Sequence, residues 1–256
     1  MAAAPVRLYL TGRLAVEGPG GIADATTLPG RQGVRAVCAL GLAGNSPLRR
    51  EQLAAALWGD EPPPSWDNAL SAVVSKVRTA LSDIGLDAAT VLPVVGGCYE
   101  LRLPPGSWID VEVARNRLDR AEGALRTGDA DTAWSEATVA TSVLRRPLLP
   151  GEEGDWLRTA REDLRDAHVR ALQVVASAWR EKGDGVLAVR AAREAVRLAP
   201  YRESSHRVLM QAHLAAGDRA EAVRSYEQLR RMLRDELGIE PSRETEAVYV
   251  AALREP

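Results

Sequence analysis

The chain has no phenylalanine, only two cysteines and only two lysines in 256 residues. Without Phe, bulky packing falls to Leu, Val and Trp, and Trp58, Trp66, Trp108, Trp134, Trp156 and Trp179 read as core and interface anchors. Cys38 and Cys98 stand far apart with no metal-ligand spacing. That excludes a disulfide framework and a zinc motif, and it suits a structural role in a reducing cytoplasm. Lysine occurs only at Lys76 and Lys182, and the formal net charge is -2. A generally basic coat for nucleic acid is therefore excluded, and phosphate contacts must come from cations gathered on one face. No apolar run approaches the roughly 20 residues of a membrane span. The opening stretch MAAAPVRLYLTG lacks a basic segment followed by an apolar one, so it does not read as a secretory signal. There is no G-x-x-x-x-G-K-S/T loop and no G-x-G-x-x-G after a strand. Gly18-Pro19-Gly20-Gly21 reads as a hairpin turn. His168, His206 and His213 lie in helical stretches without a Cys or a carboxylate pair nearby, which favours packing or surface roles over a metal site. No catalytic constellation emerges. No enzyme activity, metal or cofactor is expected.

What is present is organised around Ser65–Ile84, SWDNALSAVVSKVRTALSDI. Leu70, Val73, Val74, Val77 and Leu81 form one apolar stripe at helical spacing. Asn68, Ser71, Ala72, Ser75, Lys76, Arg78 and Thr79 lie off it, and these types suit base edges and phosphates. Pro62-Pro63-Pro64 stops whatever precedes, and Ser65 is placed to cap the first turn. Ahead of this helix, Val6–Leu10 and Leu14–Val16 read as a short antiparallel pair. VRAVCALGLA from Gly33 then reads as a buried helix ending at Gly44-Asn45-Ser46-Pro47, and Arg50–Trp58 as a short second one. After it, Val91–Leu103 reads as two strands joined at Gly96-Gly97, adjacent glycines that allow a tight hairpin. Strands, three helices and a hairpin are the order of a winged helix-turn-helix, its second and third helices forming the DNA-binding pair. Arg49 and Arg50, with Arg31 ahead of the first helix, are candidate phosphate contacts. Val95, Gly96 and Gly97 form the wing tip. Through Leu103, nine Arg and Lys face nine Asp and Glu.

Beyond Asp110 the pattern is helical throughout. Gly128-Asp129, Gly183-Asp184 and Gly217-Asp218 each follow a helical stretch, with Ala133, Ala188 and Ala222 five residues past the glycine. Gly183 and Gly217 stand 34 residues apart, the tetratricopeptide period, with small Ala where paired helices touch. Arg243–Leu253 reads as a final capping helix. The predicted fold is an α+β winged helix-turn-helix domain over 1–105, followed by an all-α tetratricopeptide-like helical-repeat domain over 106–256.

Particular residues carry a family likeness. In the first half they are Leu57-Trp58-Gly59-Asp60, Pro62-Pro63, Asn68-Ala69-Leu70, Val74-Ser75-Lys76-Val77-Arg78, Gly97 and Tyr99. In the second they are Leu149-Pro150-Gly151, Trp156, Ala167–Leu172, Tyr201-Arg202-Glu203-Ser204, Leu214–Asp218, Asp235–Ser242 and Glu244-Thr245. In this order they resemble the Streptomyces antibiotic regulatory protein family, an OmpR-type winged helix joined to a bacterial transcriptional activation domain. The resemblance implies a cytoplasmic transcription regulator that binds direct repeats in double-stranded DNA upstream of promoters and recruits RNA polymerase. The repeats could also support a homodimer or sense an effector. Two departures stand out. The wing carries uncharged Pro93-Val94-Val95 with Cys98 before Tyr99, and Trp66-Asp67 precedes Asn68. Asp67 suits the helix dipole but repels a phosphate. The rival expectation is a repeat-based interaction or effector-sensing protein whose winged helix has lost DNA binding.

Overall fold

The computed structural model describes residues 4–254, so the outer limits of the two expected domains, 1 and 256, lie outside the described residues. Two compact units emerge. One takes the chain up to Val113 together with Arg146–Asp163, and the other takes Ala114–Arg145 with everything from Leu164 onward.

In the first unit, β1 (Arg7–Tyr9), β2 (Ala15–Gly18) and β3 (Gly21–Asp24) form an antiparallel meander, with Leu8 opposite Val16. Helix α1 (Gly30–Ala43) starts three residues before the expected Gly33. Strand β4 (Leu48–Arg49) leads into α2 (Arg50–Trp58), and α3 (Trp66–Asp83) follows the prolines. A single turn, α4 (Ala88–Val91), precedes the hairpin of β5 (Val94–Val95) and β6 (Cys98–Tyr99). The hairpin forms a three-stranded sheet ordered β4-β6-β5. Gly96 and Gly97 both take positive φ, 58° and 78°, as a two-residue hairpin turn requires. Leu8, Leu10, Leu40, Leu53, Leu70 and Leu92 are almost wholly buried and build the core under the helix pair.

Two local expectations are corrected. Ser65 occupies the position before α3, yet its side chain makes no capping bond. At φ -102° and ψ 39° it lacks the extended backbone that swings a cap side chain over the free N–H groups. A strand also appears where none was expected: β7 (Trp108–Ile109) pairs parallel with β1.

The helix that follows, α5 (Asp110–Arg126), opens on a buried carboxylate. Asp110 accepts from the backbone N–H groups of Leu10 (2.9 Å) and Thr11 (3.0 Å) and from the Thr11 hydroxyl (2.7 Å). The stretch Arg146–Asp163 returns to this unit through a bridge between Thr11 and Leu148 and a 2.8 Å bond from Gly12 N–H to the Pro147 carbonyl. There Leu149 holds a positive φ of 40°, a strained position for a branched residue. The Arg161 guanidinium holds the bend by donating to the carbonyls of Leu148, Leu149 and Glu152. Cys38 lies fully buried in α1. Burial, with the Asp110 charge adding to it, pushes its thiol up to about 12, which fits a packing role.

The second unit is a stack of helical hairpins. Helices α6 (Ala130–Leu144), α7 (Asp155–Glu181), α8 (Gly185–Leu198), α9 (Glu203–Ala215) and α10 (Arg219–Met232) follow α5. The three Gly-Asp turns do identical work. Gly128, Gly183 and Gly217 take φ of 77°, 79° and 76°, ending one helix in the left-handed conformation that glycine adopts without strain. The aspartates then cap the next helix: Asp129 accepts from Thr132 N–H, Asp184 from Leu187 N–H and Asp218 from Glu221 N–H. Ala133, Ala188 and Ala222 are completely buried, where only a methyl group fits between paired helices. A π-helical turn (Leu233–Leu237) and Gly238 end α10. The capping helix α11 (Arg243–Arg254) stacks Tyr249 on Tyr226 at 4.0 Å. Its start is held by the Glu203 carboxylate, which takes the Ser242 N–H and hydroxyl and the Thr245 hydroxyl. Burial raises the pKa of Glu203, but these bonds outweigh it and keep the group below its ordinary value. All six tryptophans are half-buried, at the margins of the cores rather than inside them.

Gly185 sits at the start of α8 against the end of the next hairpin helix. A Cβ there would lie 2.5 Å from the Ala216 Cα and 2.6 Å from its N. Gly→Ala ordinarily stabilises a helix by about 1 kcal/mol. Here the obstruction is backbone, so Gly185→Ala is expected to destabilise by about 1–3 kcal/mol instead. Thermal unfolding of the variant checks the reversal of sign.

Candidate nucleic-acid interface

Helix α3 buries Leu70, Val74, Val77 and Leu81 and turns Asn68, Ser71, Ala72, Ser75, Lys76 and Thr79 to solvent. These six recur at i, i+3, i+4, i+7, i+8 and i+11, one continuous outward stripe. Ser71 donates to the Asp67 carbonyl (3.0 Å) and Thr79 to the Ser75 carbonyl (3.2 Å), so both hydroxyls lie back on the helix. The side chains of Asn68, Ser75 and Lys76 make no hydrogen bond among the described residues. Arg78 stands apart at the flank. It is half-buried and donates from Nε (3.0 Å) and Nη2 (2.6 Å) to the Leu92 carbonyl, just ahead of the hairpin.

Arg50 ties three elements together. Its guanidinium donates to the Asp67 carboxylate (2.7 Å), the Asp67 carbonyl (3.0 Å), the Ser71 hydroxyl (2.9 Å) and the Tyr99 hydroxyl (2.8 Å). It also lies 5.5 Å from the centre of the Tyr99 ring. The bond to Asp67, above all, raises its pKa further. A planar fork with five donors can join α2, α3 and β6 in this way, and an ammonium cannot. Asp67 is thereby neutralised at the mouth of α3, which removes the repulsion expected of it.

Arg49, paired with Cys98 of the hairpin, is exposed, and among the described residues its guanidinium meets only Gln52, whose amide oxygen also accepts its backbone N–H at 3.0 Å. Arg31 is also exposed, and it shares the Glu152 carboxylate with Arg35 at 2.7 Å each. Arg35 itself is buried and donates to the carbonyls of Leu57, at the end of α2, and Glu153. Burial acts against the Glu152 charge, but the two arginines prevail and hold its carboxyl below the ordinary range. Sequence reasoning passed over Arg35. The signal was a single charge inside the apolar run VRAVCALGLA, a position that demands a buried partner. Val94 and Val95 at the wing tip are about half exposed, with Gly96 and Gly97 exposed beside them.

Charge is distributed unevenly over this unit. Of the nine cations up to Leu103, Arg7, Arg13, Arg31, Arg35, Arg50 and Arg102 each have a carboxylate at ion-pair distance. Arg49, Lys76 and Arg78 have none among the described residues. All three lie on or beside α3 and the hairpin.

Residues 109–253, more than half of the chain, match the family described as the bacterial transcriptional activator domain. The chain belongs to the bacterial transcriptional activator domain family. The expected likeness to Streptomyces antibiotic regulatory proteins is borne out with it. The chain is 29 % identical over 190 residues to the regulatory protein AfsR of Streptomyces coelicolor, covering 74 % of this chain and 18 % of AfsR. It is 30 % identical over 191 residues to the transcriptional regulator RedD of the same organism, covering 72 % of this chain and 53 % of RedD. It thus spans a fifth to about half of these relatives. The fold is shared with Mycobacterium tuberculosis EmbR, solved in complex with a low affinity phosphopeptide: TM-score 0.87 at 24 % identity, covering 98 % of this chain and 66 % of that one. The winged helix-turn-helix followed by helical repeats is therefore the architecture of the family member at hand. Among the described residues, no helix is long and apolar enough to cross a membrane.

Proposed function

We propose that the chain is a sequence-specific DNA-binding transcriptional regulator of the cytoplasm and not an enzyme. Helix α3 enters the major groove of double-stranded promoter DNA, and the helical repeats recruit RNA polymerase. The observation carrying this reading is the gathering of Arg49, Lys76 and Arg78, without carboxylate partners, around the outward polar stripe of α3. A neutral domain gains phosphate affinity only from such clustering. Asn68, Ser71, Ser75 and the Ala72 methyl read base edges. Lys76 and Arg49 neutralise phosphates, with Arg31 at the periphery. Arg50 and Arg78 hold α3 and the hairpin in place, and Val95-Gly96-Gly97 lies along the adjoining groove. The DNA-binding part runs to about residue 105, with Arg146–Asp163 as its brace. Direct repeats in the promoter then call for paired copies of the chain.

The test is a gel shift of the full chain with upstream genomic fragments across a salt series. Lys76→Ala with Arg49→Ala is expected to keep the native circular dichroism and weaken binding at least tenfold. The slope of log affinity against log salt should fall by about 2, since each phosphate contact contributes about 0.9. Arg78 is left untouched because its loss would free the Leu92 carbonyl. The uncharged wing tip favours the rival reading, an interaction protein that has lost DNA binding. No shift at low salt, at concentrations where the chain pairs, would establish that rival.

A further inference from the structure

One groove in the helical repeats shares no residue with the DNA-reading surface. It has a volume of about 620 Å³ and opens along the outward face of α8 beside the end of α9. Arg190, Arg193 and Arg197 stand along α8 at i, i+3 and i+7, one stripe one turn apart, and all three are exposed. Val186, 75 % exposed, begins the stripe, and Ala216 faces it from the next hairpin.

The charges of this groove are not balanced internally. Arg197 pairs with Glu194 at 3.0 Å, whereas Arg190 and Arg193 have no carboxylate at ion-pair distance among the described residues. The other carboxylate on the rim, Asp218, is occupied in capping α10. His213 closes the back of the groove, buried, its pKa lowered chiefly by burial and next by the Arg193 charge. Two unpaired guanidiniums therefore flank an exposed apolar side chain, in a concavity of the size that holds a few side chains.

We propose that this groove binds an acidic peptide segment of a partner protein. Two carboxylates of that segment meet Arg190 and Arg193, bidentate in the manner of guanidinium–carboxylate pairs. An apolar side chain beside them covers Val186 and Ala216. A nucleic acid fits less well: its evenly spaced phosphates must also run past Glu194 and Asp218 on the rim, whereas a peptide can place its carboxylates at Arg190 and Arg193 alone and an apolar side chain on Val186 and Ala216.

The experiment is a fluorescence-polarisation titration of the full chain with a short labelled peptide of Glu-Glu-Leu repeats. Its control is the same peptide with Gln for Glu. Binding of the acidic peptide only is expected, weakened about tenfold or more by Arg193→Glu, which sets like charges against each other. Arg193→Glu should keep the native circular dichroism and leave the gel shift with promoter DNA unchanged, so the two readings fail separately. Equal binding by the Gln peptide, no binding of the acidic one, or an unaffected Arg193→Glu variant would overturn the proposal. Displacement of the peptide by DNA would overturn it too, by making this a nucleic-acid face. So would dissociation of a self-associated form by Arg193→Glu in sedimentation, by making it a contact between copies.

Discussion

Asp110→Ala is expected to destabilise the first unit by about 3–5 kcal/mol, more than Gly185→Ala costs the helical repeats. The carboxylate is 3 % exposed and takes three donors from one short stretch, Leu10 N–H, Thr11 N–H and the Thr11 hydroxyl. Removing the acceptor leaves these donors buried without it, and each unsatisfied buried donor costs roughly 1–3 kcal/mol. The charge itself is tolerated because it sits at the first turn of α5, where free N–H groups and the helix dipole favour an anion. Its Oδ1 also accepts the Val111 N–H at 2.8 Å. Asp110→Asn separates the two contributions. The amide retains one acceptor but points two hydrogens at donors, so it is expected to recover little of the loss. Urea unfolding followed by tryptophan fluorescence reads the effect. A loss below about 1 kcal/mol for the Ala variant would mean that strand pairing and packing hold β1 without this carboxylate.

This contact also shows where sequence reasoning stopped. The repeat turns were legible because each is a local device: glycine must adopt positive φ, aspartate must cap within three residues, and alanine must fill a fixed small space. Helix α3 was legible for the same reason, from its 3.6-residue period. What escaped were contacts made across distance. Asp110 reaches back about 100 positions to Leu10 and Thr11, so the domain boundary expected at residue 105 hides the return of β7 to the first sheet. Arg146–Asp163 rejoins the first unit through Glu152 and Arg35, and no periodicity announces such a pairing. Asp67 was read as a repulsive charge because its partner, Arg50, lies 17 residues away on another helix. Its neutralisation is a property of the fold, not of the segment. The residues proposed for the DNA interface follow from helical spacing, while the hydrogen bonds that set Arg50 and Arg78 apart from Arg49 required the structure.

The largest functional effect is expected from Arg50→Ala, which should weaken promoter binding about tenfold to a hundredfold. Two consequences add. The first turn of α3 loses its tether to α2 and to Tyr99 of the hairpin, so the reading side chains lose their fixed register. A displacement of about 1 Å at a preorganised site is costly in itself. Asp67, about 61 % exposed, then faces the phosphates without its counter-charge, and like charges across an interface cost several kcal/mol. The contribution to stability is smaller, about 1 kcal/mol, because the Asp67 side of the ion pair is largely solvated. The two consequences separate in a double-mutant cycle. Asp67→Asn on the Arg50→Ala background removes the exposed charge but not the lost tether, and should restore part of the affinity. Arg50→Lys does the converse: it keeps a cation beside Asp67 but cannot span Asp67, Ser71 and Tyr99 together, and should fall between wild type and Ala. Gel shifts at two salt concentrations distinguish the terms, since the repulsion is screened by salt and the lost register is not. If Arg50→Ala/Asp67→Asn binds no better than Arg50→Ala at low salt, neutralisation of Asp67 plays no part, and Arg50 acts on α3 through geometry alone.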